Sequence, residues 1–267
     1  MQIEDIGKTI KKVEIEDKNA LILFEDGDEL EVTTDTYSHF YLYSSKRLST
    51  DELEAIIEYD EISKAKSYAF KLINSKSYSE HQIKEKLFSK KYKSKVIYAT
   101  LDLLKKEKYI DDEKYAYEIL ALGNSKNYGK NRIITLLNKA NVDEKIISSL
   151  EFNFETEYEK AKIQFEKYCN SNQNKSFKKR KQSGYSHLVS LGFESEICSS
   201  IISSYDEEDK ENKDEKILIN QINKYIIIHH IDLDDYESRQ RISNAFYRKG
   251  FSYDLINKVL GGITNER

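Results

Sequence analysis

The chain has 267 residues, 39% of them hydrophobic and 34% charged, with a formal net charge of -4, no proline and no tryptophan. That length admits one to three domains with a substantial core, the scarcity of breakers favours long helices, and the net charge excludes a uniformly basic nucleic-acid coat. No apolar run approaches the roughly 20 residues of a membrane-spanning helix. The start MQIEDIGKTI lacks the basic and apolar regions of a secretory signal, and Cys169 and Cys198 form no CxxC or Cys/His cluster. A cytoplasmic protein with buried thiols and no cofactor, metal or membrane partner is expected.

Residues 8 to 33 alternate apolar and polar side chains through Ile10, Val13 and Ile15, then Leu21 and Leu23, then Leu30 and Val32. Breaks at Asp17–Asn19 and Asp26–Asp28, the second holding Gly27, predict a three-stranded antiparallel meander. An aromatic segment from Asp35 to Tyr43 follows, and then a helix from Ser49 to Tyr59 with Leu53, Ile56 and Ile57 on one face. Residues 1–59 are therefore expected to form a small β domain with a linking helix.

From Asp60 onward an apolar ladder recurs at positions n, n+4, n+9, n+13 and n+18. Its first copy is Ile83, Leu87, Tyr92, Val96 and Leu101. The second is Ile133, Leu137, Val142 and Ile146, with Leu150 substituting for Glu151 on the last rung. The third puts Gly184 on the first rung, followed by Leu188, Phe193, Ile197 and Ile202; the fourth is Ile242, Phe246, Phe251, Leu255 and Leu260. Starting points at 83, 133, 184 and 242 are 50, 51 and 58 residues apart, a period that suits three helices per repeat. The fold expected is mainly α, an elongated array of tandem three-helix repeats at 60–110, 111–154, 155–208 and 209–267, preceded by the small antiparallel β domain. The first helix of each repeat is expected at Asp60–Ile73, Asp111–Leu122, Thr156–Tyr168 and Lys213–His229, the second of these broken by the segment Gly123 to Gly129. Between the ladder's two helices lie Lys90-Lys91-Tyr92, Ala140-Asn141-Val142, Leu191-Gly192-Phe193 and Lys249-Gly250-Phe251, where glycine supplies a helix C-cap and the next residue a packing plug.

Charge is segregated. Residues 79–95 hold six basic and two acidic residues, while 124–142, 175–190 and 238–250 hold four, five and four basic residues and no acidic ones. The balancing acid lies in Asp206–Glu215, Asp232–Glu237 and the N-terminal domain. Solvated helix faces carry such charge without function. Recurrence at the same place in four repeats favours a nucleic-acid-facing side formed by Lys178, Lys179, Arg180, Lys181, Arg239, Arg241, Arg248 and Lys249. Four consecutive residues, 178 to 181, cannot all face a helix core, so most are expected to be solvated. Tyr68, Tyr98, Tyr115 and Tyr225 fall on apolar stripes, whereas Tyr78, Tyr128 and Tyr247 are candidate exposed contacts. There is no GxxxxGK[ST], GxGxxG, GxSxG or HExxH motif. Asp111 and Asp112 read as helix caps, and His229-His230 ends a helix without completing a metal set. No active site, and no enzyme, is expected.

The segments YIDDEKYAYEIL, YGKNRIITLLNKANVDEKII and RISNAFYRKGFSYDLI resemble the RecX regulatory proteins of bacteria, over about residues 60 to 262. The meander is similar to the N-terminal extension of RecX proteins from low-GC Gram-positive bacteria. Departures are Ala140-Asn141 where the family usually has Lys-Gly, and Gly184 on the third ladder. The resemblance implies a regulator of the RecA recombinase in homologous recombination, DNA repair and the SOS response. Such a protein lodges in the groove of the RecA filament on single-stranded DNA and inhibits its recombinase, ATPase and coprotease activities. The motif match adds Lys130 and Arg132 as contact candidates, in a monomer that binds single-stranded DNA weakly and non-specifically by itself. A stand-alone helix-turn-helix DNA-binding protein and a non-catalytic helical scaffold stay open as alternatives.

Overall fold

In the computed structural model, which describes residues 7–205 and 210–265, strands β1 (Lys8–Glu16), β2 (Asn19–Phe24) and β3 (Glu29–Thr33) form the expected meander. Asp17 (φ 50°) and Gly27 (φ 93°) turn the chain between them. Two features depart from the sequence reading. A two-residue strand β4 (Arg47–Leu48) pairs with β1, giving a four-stranded sheet in the order β3-β2-β1-β4. The buried face of β2 carries Ala20, Ile22 and Phe24, not Leu21 and Leu23, and an irregularity between Ile10 and Lys12 leaves Ile10 buried but Ile15 exposed.

Helices α1 (Thr34–His39) and α2 (Thr50–Ile73) cover this sheet. Ser49 starts α2 with a full capping box to Glu52. The two helices expected at Ser49–Tyr59 and Asp60–Ile73 are one, running unbroken past residue 59. Asp60 does not cap a new helix. Its buried carboxylate accepts from the Thr33 amide at 2.6 Å and the Thr36 hydroxyl at 2.9 Å, and pairs with Lys64 at 2.7 Å, tying the helix to the end of β3.

The repeats comprise α2 with α3 (Glu80–Ser89) and α4 (Ser94–Lys106); α5 (Asp112–Ser125), α6 (Lys130–Lys139) and α7 (Glu144–Ser148); α8 (Phe154–Ser171), α9 (Phe177–Ser190) and α10 (Ser195–Ser204); and α11 (Lys210–His229), α12 (Tyr236–Tyr247) and α13 (Tyr253–Asn265). The chain divides into two compact units, 1–118 with 137–149 and 119–136 with 150–267. The acidic segment expected from Asp206 and the 208/209 boundary lie partly outside the described residues. α5 continues through Gly123, where a Cβ would meet Ile133 Cγ1 at 2.5 Å, and ends only near Asn127 (φ 51°).

The ladders form the cores. Ile83, Leu87, Val96, Leu101, Ile133, Leu137, Val142, Leu188, Phe193, Ile197, Ile242, Phe246, Phe251 and Leu260 are all buried, as is the substitute Leu150. On three lower rungs the more buried residue is the neighbour: Ile147 for Ile146, Ile201 for Ile202 and Ile256 for Leu255. All four turns share one geometry. Lys91, Asn141, Gly192 and Gly250 have φ of 64°, 54°, 88° and 92°. The next amide returns to the carbonyl five residues back, from Tyr92 to Leu87, Val142 to Leu137, Phe193 to Leu188 and Phe251 to Phe246, at 3.2 to 3.4 Å. Cys169 and Cys198 are buried, and burial raises the Cys198 thiol to about 11.

At Gly184 the missing rung is supplied from another helix. A Cβ there would lie 2.3 Å from the ring of Phe165, which is 1% exposed on α8. Gly184→Leu should therefore destabilise the protein by about 3 kcal/mol in urea unfolding. Combined with Phe165→Ala, the loss should be smaller than the sum of the single losses by about 1 kcal/mol or more, because one side chain replaces the other.

Candidate nucleic-acid interface

The middle helices α3, α6 and α9 begin in the same way, on the turn of the repeat that follows. Ser79 Oγ donates to the Ala140 carbonyl at 2.7 Å, and Ser176 Oγ donates to the Gly250 carbonyl at 2.7 Å. Between them in sequence, Gly129 has no hydroxyl, and its amide donates to Leu191 O while that of Asn131 donates to Gly192 O, each at 2.9 Å. The approach is close enough to require glycine. A Cβ on Gly192 would sit 2.3 Å from the Arg132 nitrogen, and one on Gly250 would sit 2.5 Å from Lys179 Cβ.

An acidic side chain from the next repeat's first helix completes each junction. Asp112 accepts from the Glu80 amide at 2.7 Å, Glu157 from the Lys130 amide at 2.9 Å, and Asp214 from the Phe177 amide at 3.0 Å. Asp111 caps its own helix through the Lys114 amide, as expected, but Asp112 caps α3. Burial pushes the Asp112 carboxyl above its ordinary value, with the Glu80 amide acting the other way. At the second junction Glu157 also pairs with buried Lys160, whose ammonium donates to Asn124 Oδ1 at 2.8 Å and Tyr128 O at 2.9 Å, fixing the loop into α6. Sequence reasoning assigned Asp112 to its own helix and did not single out Glu157 or Asp214, because each serves a helix in another repeat.

The predicted site residues fall into distinct settings. Lys130 and Arg132, half-buried at the start of α6, are engaged: Lys130 Nζ pairs with Glu194 at 2.9 Å, and the Arg132 guanidinium lies 4.1 Å from the Tyr128 ring centre. Among 178 to 181 only Lys178 is exposed. Lys179 is half-buried against Gly250, and half-buried Lys181 donates to Tyr205 O at 3.0 Å. Arg180 is 3% exposed, 3.8 Å from Asp214 and 5.9 Å from the Phe177 ring centre. The expectation that most of this quartet is solvated is thus corrected. The signal was legible, since Arg180 lies one turn before Gly184 on the core stripe, as buried Ser79 lies one turn before Ile83. Arg239, Arg241 and Arg248 are exposed. Half-buried Lys249 donates to Gln221 Oε1 at 2.7 Å and lies 4.5 Å from the Phe246 ring centre; burial lowers its pKa.

Lys178, Lys179 and Arg248 come together with Tyr247, Tyr253 and Asp254 around a cleft of about 620 Å3. Tyr247 and Tyr253 stack with ring centres 4.4 Å apart and planes 18° from parallel, and are 52% and 43% exposed. Lys130, Arg132, Arg239 and Arg241 do not line this cleft. The other tyrosines correct the sequence reading in both directions: Tyr98, assigned to a core stripe, is 51% exposed beneath Lys84 Nζ, and Tyr78 and Tyr128 are half-buried. Among the described residues no group of three or more His, Cys, Asp or Glu side chains is arranged to hold a metal, and no helix is long and apolar enough to cross a membrane.

These features define a helical-repeat protein with a small antiparallel sheet at its N-terminus and cationic residues on the middle helices of its repeats. Residues 215–260 match the family model of the RecX third three-helix domain. The regulatory protein RecX of Streptococcus mutans is 27% identical over 94% of this chain and 98% of its own length; that of Lactococcus lactis is 26% identical over 90% and 92%. A crystal structure of a regulatory protein RecX superposes with a TM-score of 0.61 at 22% identity, covering 74% of this chain and all of the other, and supports the fold. Over nearly its whole length the chain is similar to the regulatory proteins RecX.

The contrast within α9 is measurable. Arg180→Ala, which removes a buried cation from beside Asp214, should cost about 3 kcal/mol. Lys178→Ala on the exposed side should change stability by no more than about 0.5 kcal/mol. Thermal or urea unfolding followed by circular dichroism separates the two.

Proposed function

We propose that the protein binds RecA filaments on single-stranded DNA and restrains them, lowering RecA's recombinase, ATPase and coprotease activities without catalysing a reaction of its own. The observation that carries this reading is the convergence of Lys178 and Lys179 with Arg248, distant from them in sequence, on one cleft, in a chain similar to the regulatory proteins RecX over nearly its whole length. Cations grouped in this way neutralise successive phosphates and position the protein without reading sequence. The excess of acid elsewhere suits basic parts of a protein filament, and a body bridging several RecA protomers opposes filament growth by steric and electrostatic means. On this reading Lys130 and Arg132 contribute through the same phosphate chemistry, and Lys130 must exchange Glu194 for its new partner. Arg239 and Arg241 offer further exposed charge, whereas Arg180 supports the surface from within.

Co-sedimentation with single-stranded DNA, with and without RecA, tests the proposal alongside RecA's DNA-dependent ATPase. The parent should bind bare DNA weakly, associate far more strongly with RecA filaments, and slow ATP hydrolysis. The double variant Lys178→Ala, Arg248→Ala should remain folded, inhibit less, and lower the salt slope of log affinity for single strands by about 1.4. Equal inhibition by parent and variant at every salt concentration overturns the DNA-facing role of these cations. Tight selection of one duplex sequence, with no effect on RecA, replaces the proposal with a stand-alone helix-turn-helix protein.

A further inference from the structure

The cleft beside α12 holds an element that phosphate binding does not use. Tyr247 ends α12 and Tyr253 begins α13, and their rings stack across the turn while remaining 52% and 43% exposed. Tyr225, by comparison, packs against buried Phe246 in the core of the same repeat at a ring separation of 5.8 Å. The Tyr247–Tyr253 pair lies outside that buried cluster and lines the cleft with Lys178, Lys179 and Arg248. An exposed aromatic platform beside grouped cations fits a ligand having both a flat π face and a phosphate.

We infer that the Tyr247–Tyr253 stack is a base-stacking subsite for an unpaired nucleotide of single-stranded nucleic acid, with Lys178 and Arg248 holding the adjoining phosphates. This deepens the proposed function and rests on its reading of the cleft as a single-strand site. A duplex is a poor ligand because its base faces are already stacked inside the helix, whereas a single strand presents them. Every base has a π face, so the subsite is tolerant of sequence and compatible with regulation along any stretch of DNA. Asp254 is the one carboxylate among the residues lining the cleft. It opposes the phosphate and limits affinity, which keeps binding by the free protein weak.

The test compares an oligodeoxythymidylate with a strand of equal length and charge carrying abasic sites, using the full-length protein and fluorescence anisotropy over a salt series. The parent should prefer the base-containing strand by about tenfold. Tyr247→Ala and Tyr253→Ala should each abolish most of that preference with the salt slope unchanged; Tyr247→Phe should retain it. Lys178→Ala should do the reverse, lowering the slope by about 0.7 while preserving the preference. Asp254→Asn should strengthen binding to both strands. Tyr247→Leu, which keeps an apolar side chain at the site, guards against a loss caused by misfolding and should lose the preference with helicity intact. Equal binding of both strands by the parent, or an unchanged preference in Tyr247→Leu, overturns the inference. A base preference that follows the two tyrosines supports the subsite even if RecA hydrolyses ATP at its normal rate beside the protein; that second result alone removes the regulatory proposal.

Discussion

The seating of a middle helix on the turn of the following repeat is the contact from which the functional geometry follows. A helix N-terminus leaves amide donors without intrahelical partners and carries the positive end of the helix dipole. Here the next repeat supplies both acceptors: turn carbonyls at Ala140, Leu191, Gly192, Lys249 and Gly250, and the carboxylates of Asp112, Glu157 and Asp214. A turn must pass very near the incoming backbone for this to occur. That explains why glycine occupies the left-handed position at 192 and 250, where Cβ atoms would collide with Arg132 and Lys179. The turn residue therefore has two reasons to be glycine, its own φ and its neighbour's proximity.

The junctions also sort the basic residues. Cations at helix starts are drawn towards the acidic caps and aromatic rings that build the junction, as with Lys130 beside Glu194 and Phe152, and Arg180 beside Asp214 and Phe177. Lys178, two residues before Arg180, and Arg248, at the far end of α12, escape this role and are exposed. A block of basic residues in sequence thus separates into an internal part that holds repeats together and an external part able to meet a polyanion. Substituting the block as a whole would confound the two.

The repeat was legible in the sequence because its core obeys one periodic rule. The ladder positions, the four turns and the capping of α2 by Ser49 all follow from local patterning and propensity. What escaped was non-local. The two-residue β4 has too little sequence to show a period, and the buried face of β2 is selected by the sheet's packing partners. Asp60 stands at an expected helix start, yet inside α2 its carboxylate accepts from Thr33 and Thr36 in a different part of the chain. At the candidate site, charge patterning singled out the middle helices but could not rank residues within them by exposure. Extending the ladder backwards by one turn would have identified Arg180 as buried, whereas the pairing of Tyr247 with Tyr253 required the turn geometry itself.

The anchoring of α2 has a mechanical consequence. Its 24 residues span about 36 Å at 1.5 Å per residue, one end covering the sheet and the other packing with α3 and α4. Asp60, near the middle, clamps the helix to β3 and α1. With no loop between them, the sheet has no hinge at which to swing against the first repeat. A force applied to the sheet is carried down the rod to α3 and α4, so the β domain acts as a lever arm on the first repeat and not as a tethered accessory.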